Sequence, residues 1–113
     1  NRFFQPDINL ETLELSPTLQ LSSPLESLLR IRWLALLSSQ VKLSLAATGG
    51  FYSHQEVIKA LLAGADVVYL CSVLIQEGPK ALNRILINLV SWMQEKEYLS
   101  IEQLKGSLSY NKT

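Results

Sequence analysis

Residues 47–72 read ATGGFYSHQEVIKALLAGADVVYLCS, and the fold turns on how this stretch divides. An apolar run from Val41 to Ala47 leads into Thr48-Gly49-Gly50. Ser53 and Glu56 then have the S-x-x-E spacing of a capping box. Val57, Ile58, Leu61 and Leu62 supply the apolar stripe of a helix that Gly64 stops. Asp66 to Cys71 (DVVYLC) is a nearly continuous apolar run, β-branched and aromatic at its centre. Such a run is the habit of a strand buried on both faces in a parallel sheet. Strand, helix and strand in this order predict a parallel βαβ unit over 41–72.

Upstream, residues 7–23 alternate apolar and polar side chains, with Leu10, Leu13, Leu15, Leu19 and Leu21 as the apolar members. Ser16-Pro17 lies between two short alternating runs, so the pattern predicts a small hairpin turning there. Pro24 opens a stretch in which Leu25, Leu28, Leu29, Trp33, Leu36 and Leu37 recur at three- and four-residue steps, which is one apolar face of a helix with proline in its first turn. Downstream, residues 79–108 carry C-terminal helices. One starts near Pro79 with Leu82, Ile85, Leu86, Leu89, Val90 and Met93 along one side, and a short one starts at the second capping box, Ser100 to Gln103. The order is hairpin, helix, strand, helix, strand, helix, helix. This is an α/β chain in a single piece over 1–113.

Composition limits what such a piece can do. At 113 residues, with 48% hydrophobic and 18% charged side chains, the chain is one core-forming unit and too apolar to be disordered. Ten basic residues balance ten acidic ones, which leaves no field to gather nucleic acid or an anionic membrane. The single cysteine, Cys71, excludes an intrachain disulfide, and no Cys/His spacing suggests zinc, so no metal is expected and a reducing, cytoplasmic setting fits. The densest apolar stretch, 25–37, is interrupted by Glu26, Arg30 and Arg32 and falls short of the roughly 20 residues that span a bilayer. The opening NRFFQPD has neither an initiator methionine nor the apolar core of a signal peptide, and the expectation is a piece of something longer.

Ligands of parallel α/β proteins collect at the carboxyl ends of strands. Here those ends are Thr48-Gly49-Gly50 and Cys71-Ser72. Glycine lets an anion approach backbone N–H groups closely, and a helix N-terminus adds partial positive charge, so two adjacent ends of this kind can share one phosphate. A tight turn at Gly49-Gly50 and a helix cap at Cys71-Ser72 read equally well, since a lone glycine pair is a weak motif. His54, in the first helical turn, reads as a solvated residue and Cys71 as a small core residue. Asp66 and Glu56 read as partners of turns and helix ends, and Trp33 and Trp92 as core or interface packing.

The segment ATGGFYSHQEVIKALLAGADVVYLCSVLIQEGP resembles the C-terminal part of flavin-dependent dihydroorotate dehydrogenases, especially the bacterial dihydroorotate dehydrogenase-like group. NRFFQPDINLETLEL and SWMQEKEYLSIEQLKGSLS resemble that group as well, so the resemblance runs over the whole chain. The glycine pair with GAD is common to many phosphate-binding barrels, whereas its combination with Glu77-Gly78-Pro79 and both flanks is more specific. The resemblance implies a (β/α)8 TIM barrel binding FMN, of which this chain would be the last two βα units with parallel strands, a small hairpin and a C-terminal helix. It implies that Thr48, Gly49, Gly50, Cys71 and Ser72 hold the FMN phosphate, and it places Asn1 near flavin and pyrimidine. No catalytic residue is expected within these positions, because the family's base lies on an earlier loop.

A whole barrel of this type needs roughly 250 residues, so catalysis by these 113 alone is not expected. The implied activity is an FMN-dependent oxidoreductase acting on dihydroorotate or a related dihydropyrimidine in pyrimidine biosynthesis. The alternative is a catalytically inactive half-barrel acting as a binding or assembly module. A third reading, a barrel with a sugar-phosphate substrate, uses only the generic glycine motif. Unpaired sheet edges would favour homo-oligomers.

Overall fold

The computed structural model describes the backbone of residues 4–108 and the side chains of residues 7–108. Strands β1 (Phe4–Asn9) and β2 (Glu14–Leu19) form an antiparallel hairpin in which Asn9 pairs with Glu14 and Phe4 with Leu19. A short 3-10 turn at Pro24–Glu26 leads into α1 (Ser27–Leu37). Strand β3 (Ala46–Ala47), helix α2 (His54–Ala63) and strand β4 (Val67–Val68) follow, then α3 (Ser72–Glu77), α4 (Lys80–Glu95) and α5 (Ile101–Leu104). β3 and β4 pair in parallel, Ala46 with Val67 and Ala47 with Val68, and α2 makes the crossover.

The expected βαβ unit is therefore present, with shorter strands than the 41–47 and 66–71 runs imply. Regular pairing is confined to the two residues of each run that have a neighbouring strand to bond. The hairpin turns at Leu10–Leu13 and not at Ser16-Pro17. Asn9 makes the difference: its side-chain oxygen accepts from the N–H groups of Glu11 and Thr12, and Leu13 takes a φ of 57° while its N–H bonds Asn9 O. Pro17 instead sits inside β2, directly opposite Pro6, where an outer strand position tolerates the missing donor. The span from residue 7 to 20 is exposed throughout.

The core gathers on one side of the parallel pair. Leu34 of α1, Ala47 of β3, Phe51 of the loop after it, Val57, Ala60, Leu61 and Ala63 of α2, Ile85 of α4 and Leu104 of α5 are buried together. Trp92 stacks on Tyr98 at a centroid distance of 5.6 Å against this cluster, as a packing residue should. The helix expected to open at Pro24 forms, but its apolar face lies outside this core. Leu25, Leu28, Leu29, Trp33 and Leu37 are exposed, Trp33 to 53%, and α1 buries Ser27 and Leu34 instead. α4 divides in the same way, with Ile85 and Leu89 inside and Leu82, Leu86 and Val90 exposed.

The strand expected to be buried on both faces is likewise covered on one. Val68 and Leu70 pack against the core, whereas Val67 and Tyr69 are exposed and Cys71 is exposed with them. Successive strand residues point to opposite faces, and no described element covers the second face. No helix among the described residues is long and apolar enough to cross a membrane, and no group of acidic, His or Cys side chains among them could hold a metal ion.

At the end of the strand pair opposite Thr48 and Cys71, Asp66 ties three elements together. Its carboxylate accepts from Leu45 N–H at 2.7 Å and pairs with Lys105 Nζ at 2.8 Å. The Lys105 ammonium, followed by the Leu45 N–H, holds the Asp66 carboxyl below its ordinary value, and Asp66 in turn raises Lys105. A carboxylate with a depressed folded-state pKa adds stability above its unfolded value, and that stability is lost as pH falls through the folded value. The raised lysine contributes below its unfolded value, lost as pH rises through the folded one. Asp66→Asn removes both effects, so urea melts across pH should show a shallower loss of stability at the acidic end than in the parent chain. Superimposable acid limbs would contradict the tie.

Candidate functional site

The carboxyl ends of β3 and β4 lie side by side because the two strands are in register, and a cavity of about 120 Å³ opens between them. Thr48, Gly49, Gly50, Cys71 and Ser72, the residues singled out from the sequence, all line it. Asn1 lies outside the described residues. Ser22, Arg30 and Tyr69 also line the cavity. None of these three stood out in sequence, because each comes from a segment with a generic pattern and only the fold brings it here.

The loop from Thr48 to Ser53 is held from several sides. Gly50 N–H donates to Ser22 Oγ at 3.3 Å, and Ser22 Oγ lies 2.8 Å from Ser72 Oγ, which also accepts from Ser22 N–H at 3.0 Å. Both hydroxyls are buried. One hydroxyl proton lies between the two oxygens, so the other is left without a protein acceptor among the contacts of this network. Tyr52 hydroxyl donates to Ser22 O at 2.5 Å, and Arg84 bonds Tyr52 O at 3.0 Å and Glu77 at 2.9 Å. Arg30 Nε donates to Thr48 O at 3.3 Å. Ser53 caps α2 by accepting from Gln55 N–H, and its hydroxyl donates to the Glu56 carboxylate, so the N-cap expected from the sequence forms while Glu56 bonds the hydroxyl and not the backbone N–H of a reciprocal box. A loop so tied is set before any ligand arrives.

Both glycines are demanded by conformation and by packing. Gly49 has φ 101° and Gly50 φ 88°. A Cβ on Gly50 would stand 2.5 Å from Ser27 N and 2.8 Å from Ser23 O, and one on Gly49 would stand 2.9 Å from Arg30 Nε. These clashes lie on the α1 side, so the pair seats the loop against α1 and leaves its other side to the cavity. α3 begins at Ser72, directly beside it. His54 is half-buried in the first turn of α2 and does not line the cavity.

No family model matches the chain. A putative dihydroorotate dehydrogenase A (fumarate) of Streptococcus pyogenes is 35% identical over 63 residues, which is 56% of this chain and 20% of that protein. A probable dihydroorotate dehydrogenase A (fumarate) of Enterococcus faecalis is 36% identical over 67 residues, 59% of this chain and 22% of that one. The chain is similar to part of a dihydroorotate dehydrogenase. Solved dihydroorotate dehydrogenase structures have the same fold over nearly its whole length. The ligand-free DHODH of Eimeria tenella matches 96% of this chain with a TM-score of 0.72 at 17% identity, and its complex with ferulenol matches 95% with 0.71 at 18%. This chain spans 32% and 29% of those structures and about a fifth of the curated dihydroorotate dehydrogenases it matches.

Ser22→Ala tests the network directly. Removing this hydroxyl leaves Gly50 N–H and Ser72 Oγ short of a buried partner, which costs roughly 1–3 kcal/mol. Urea denaturation should show a loss of that size. A variant as stable as the parent would mean that the serines do not hold the loop.

Proposed function

We propose that this chain is the FMN-phosphate-binding part of a flavin-dependent oxidoreductase that acts on dihydroorotate or a related dihydropyrimidine. The carrying observation is that two parallel strand ends, with Gly49-Gly50 on one and Cys71-Ser72 on the other, bound a single small cavity. The residues fit a phosphate: two buried serine hydroxyls and an arginine lie at the cavity, and no acidic side chain lines it. FMN, when bound, supplies the hydride acceptor for such an oxidation. The residues present would bind and orient its phosphate, and a base for the substrate proton would come from elsewhere in the barrel.

Incomplete covering of the parallel pair supports the reading that this is part of a barrel. Leu45 O and Ala47 O accept from β4, at Val67 N–H and Tyr69 N–H, so by alternation the backbone groups of Ala46 face the other way. Alongside that edge runs an apolar groove of about 300 Å³ lined by Leu29, Trp33, Leu37 and residues 45–48. A further parallel strand with apolar side chains fits there, and a barrel strand has a neighbour on each side. The same groove explains why α1 turns Leu29, Trp33 and Leu37 outward. An assembly module without catalysis uses the same edge, but the cavity at the strand ends favours the flavin reading.

The test is an FMN titration of the 113-residue chain followed by flavin fluorescence, beside Thr48→Glu, which sets a carboxylate at the cavity. Saturable binding by the parent and at least about tenfold weaker binding by the variant is the expected outcome, the order of one charged contact. No saturable binding by the parent, or equal binding by both chains, would sink the proposal.

A further inference from the structure

The guanidinium of Arg30 is held in place by the protein's own backbone, and no ion pair among the described residues includes it. Nε donates to Thr48 O at 3.3 Å and Nη1 to Glu26 O at 3.1 Å, both neutral carbonyls. Nη2 makes no hydrogen bond to a described residue, and the side chain lines the cavity between the strand ends. A fixed, half-buried cation with an unused donor at a cavity of about 120 Å³ is complementary to an anion.

Gly49 is matched to it. A Cβ there would meet Arg30 at 2.9 Å from Nε, 3.1 Å from Nη2 and 3.2 Å from Cζ. The first glycine of the pair therefore makes room for the guanidinium plane. Ser22 and Ser72 face the same cavity, and one of their two protons is uncommitted. Three side chains from three segments thus converge on the cavity that Gly49 and Gly50 line.

We propose that Arg30, assisted by the Ser22–Ser72 hydroxyl pair, is the charge-reading residue of this site and makes it select a phosphorylated ligand over the same ligand without phosphate. The inference rests on the flavin-phosphate reading above and deepens it, since it assigns the discrimination between a phosphorylated and an unphosphorylated ligand to one named side chain. Arg30 here is a specificity residue and takes no part in chemistry.

The probes are FMN and riboflavin, which share a ring system and differ by the phosphate, titrated into the parent chain and into Arg30→Gln. The parent should prefer FMN, and Arg30→Gln should weaken FMN roughly ten- to a hundredfold, the range of one charged hydrogen bond, with riboflavin unchanged. In the parent the preference should also shrink as salt rises from about 0.05 to 0.5 M. If the parent prefers FMN and Arg30→Gln keeps the full preference, Arg30 is not the reader and the flavin site stands. Equal weakening of both flavins means a structural role and overturns the proposal, as does a preference indifferent to salt, a result that needs no variant. A parent that binds neither flavin, or both equally, removes the flavin-phosphate reading and this inference together.

Discussion

Everything at the candidate site follows from the register of two very short strands. Ala46 with Val67 and Ala47 with Val68 bring Thr48 and Cys71 level with each other, and the α2 crossover puts the core on one side of the pair. Asp66 secures the opposite end by bonding Leu45 N–H and Lys105. A slip of one residue would exchange the buried Ala47 and half-buried Val68 for the exposed Ala46 and Val67, and it would separate the two loops. The cavity is thus a consequence of pairing, and the loops are then trimmed to it by Ser22, Tyr52 and Arg84.

Glycine at 49 and 50 has two separable reasons. Positive φ at both positions disfavours any other residue, and the absence of a Cβ lets α1 approach: its first backbone N–H at Gly50, its guanidinium at Gly49. A glycine pair after a strand is therefore first a packing device. Its use as an anion cradle depends on what the opposite wall offers. Here that wall is Ser72, which accepts from Ser22 and closes the cavity from the second strand.

Much of this was legible in the sequence. The S-x-x-E box at Ser53 and the stop at Gly64 mark α2 because capping is local chemistry. The cavity residues Thr48, Gly49, Gly50, Cys71 and Ser72 could be named because strand ends and their loops are local too. What failed was burial. Periodicity shows that Leu25, Leu28, Leu29, Trp33 and Leu37 share a face and cannot show what covers it; within these residues nothing does. Pro17 read as a turn because proline usually is one, yet Asn9, through its side-chain bonds to Glu11 and Thr12, turns the chain earlier. Cys71 read as a core residue because it ends an apolar strand, but odd and even positions of that strand see different surroundings. Ser22 and Arg30 carry no motif; tertiary folding alone makes them part of the site.

The account stands on the claim that the two strand ends act as one binding site. Amide chemical shifts of Gly49, Gly50, Cys71 and Ser72, followed by nuclear magnetic resonance as FMN is added, test it most directly. All four should move together along one saturation curve, while amides at the Asp66–Lys105 end stay still. Shifts confined to one strand end, two curves of different midpoint, or no movement at any of the four would contradict a shared phosphate site.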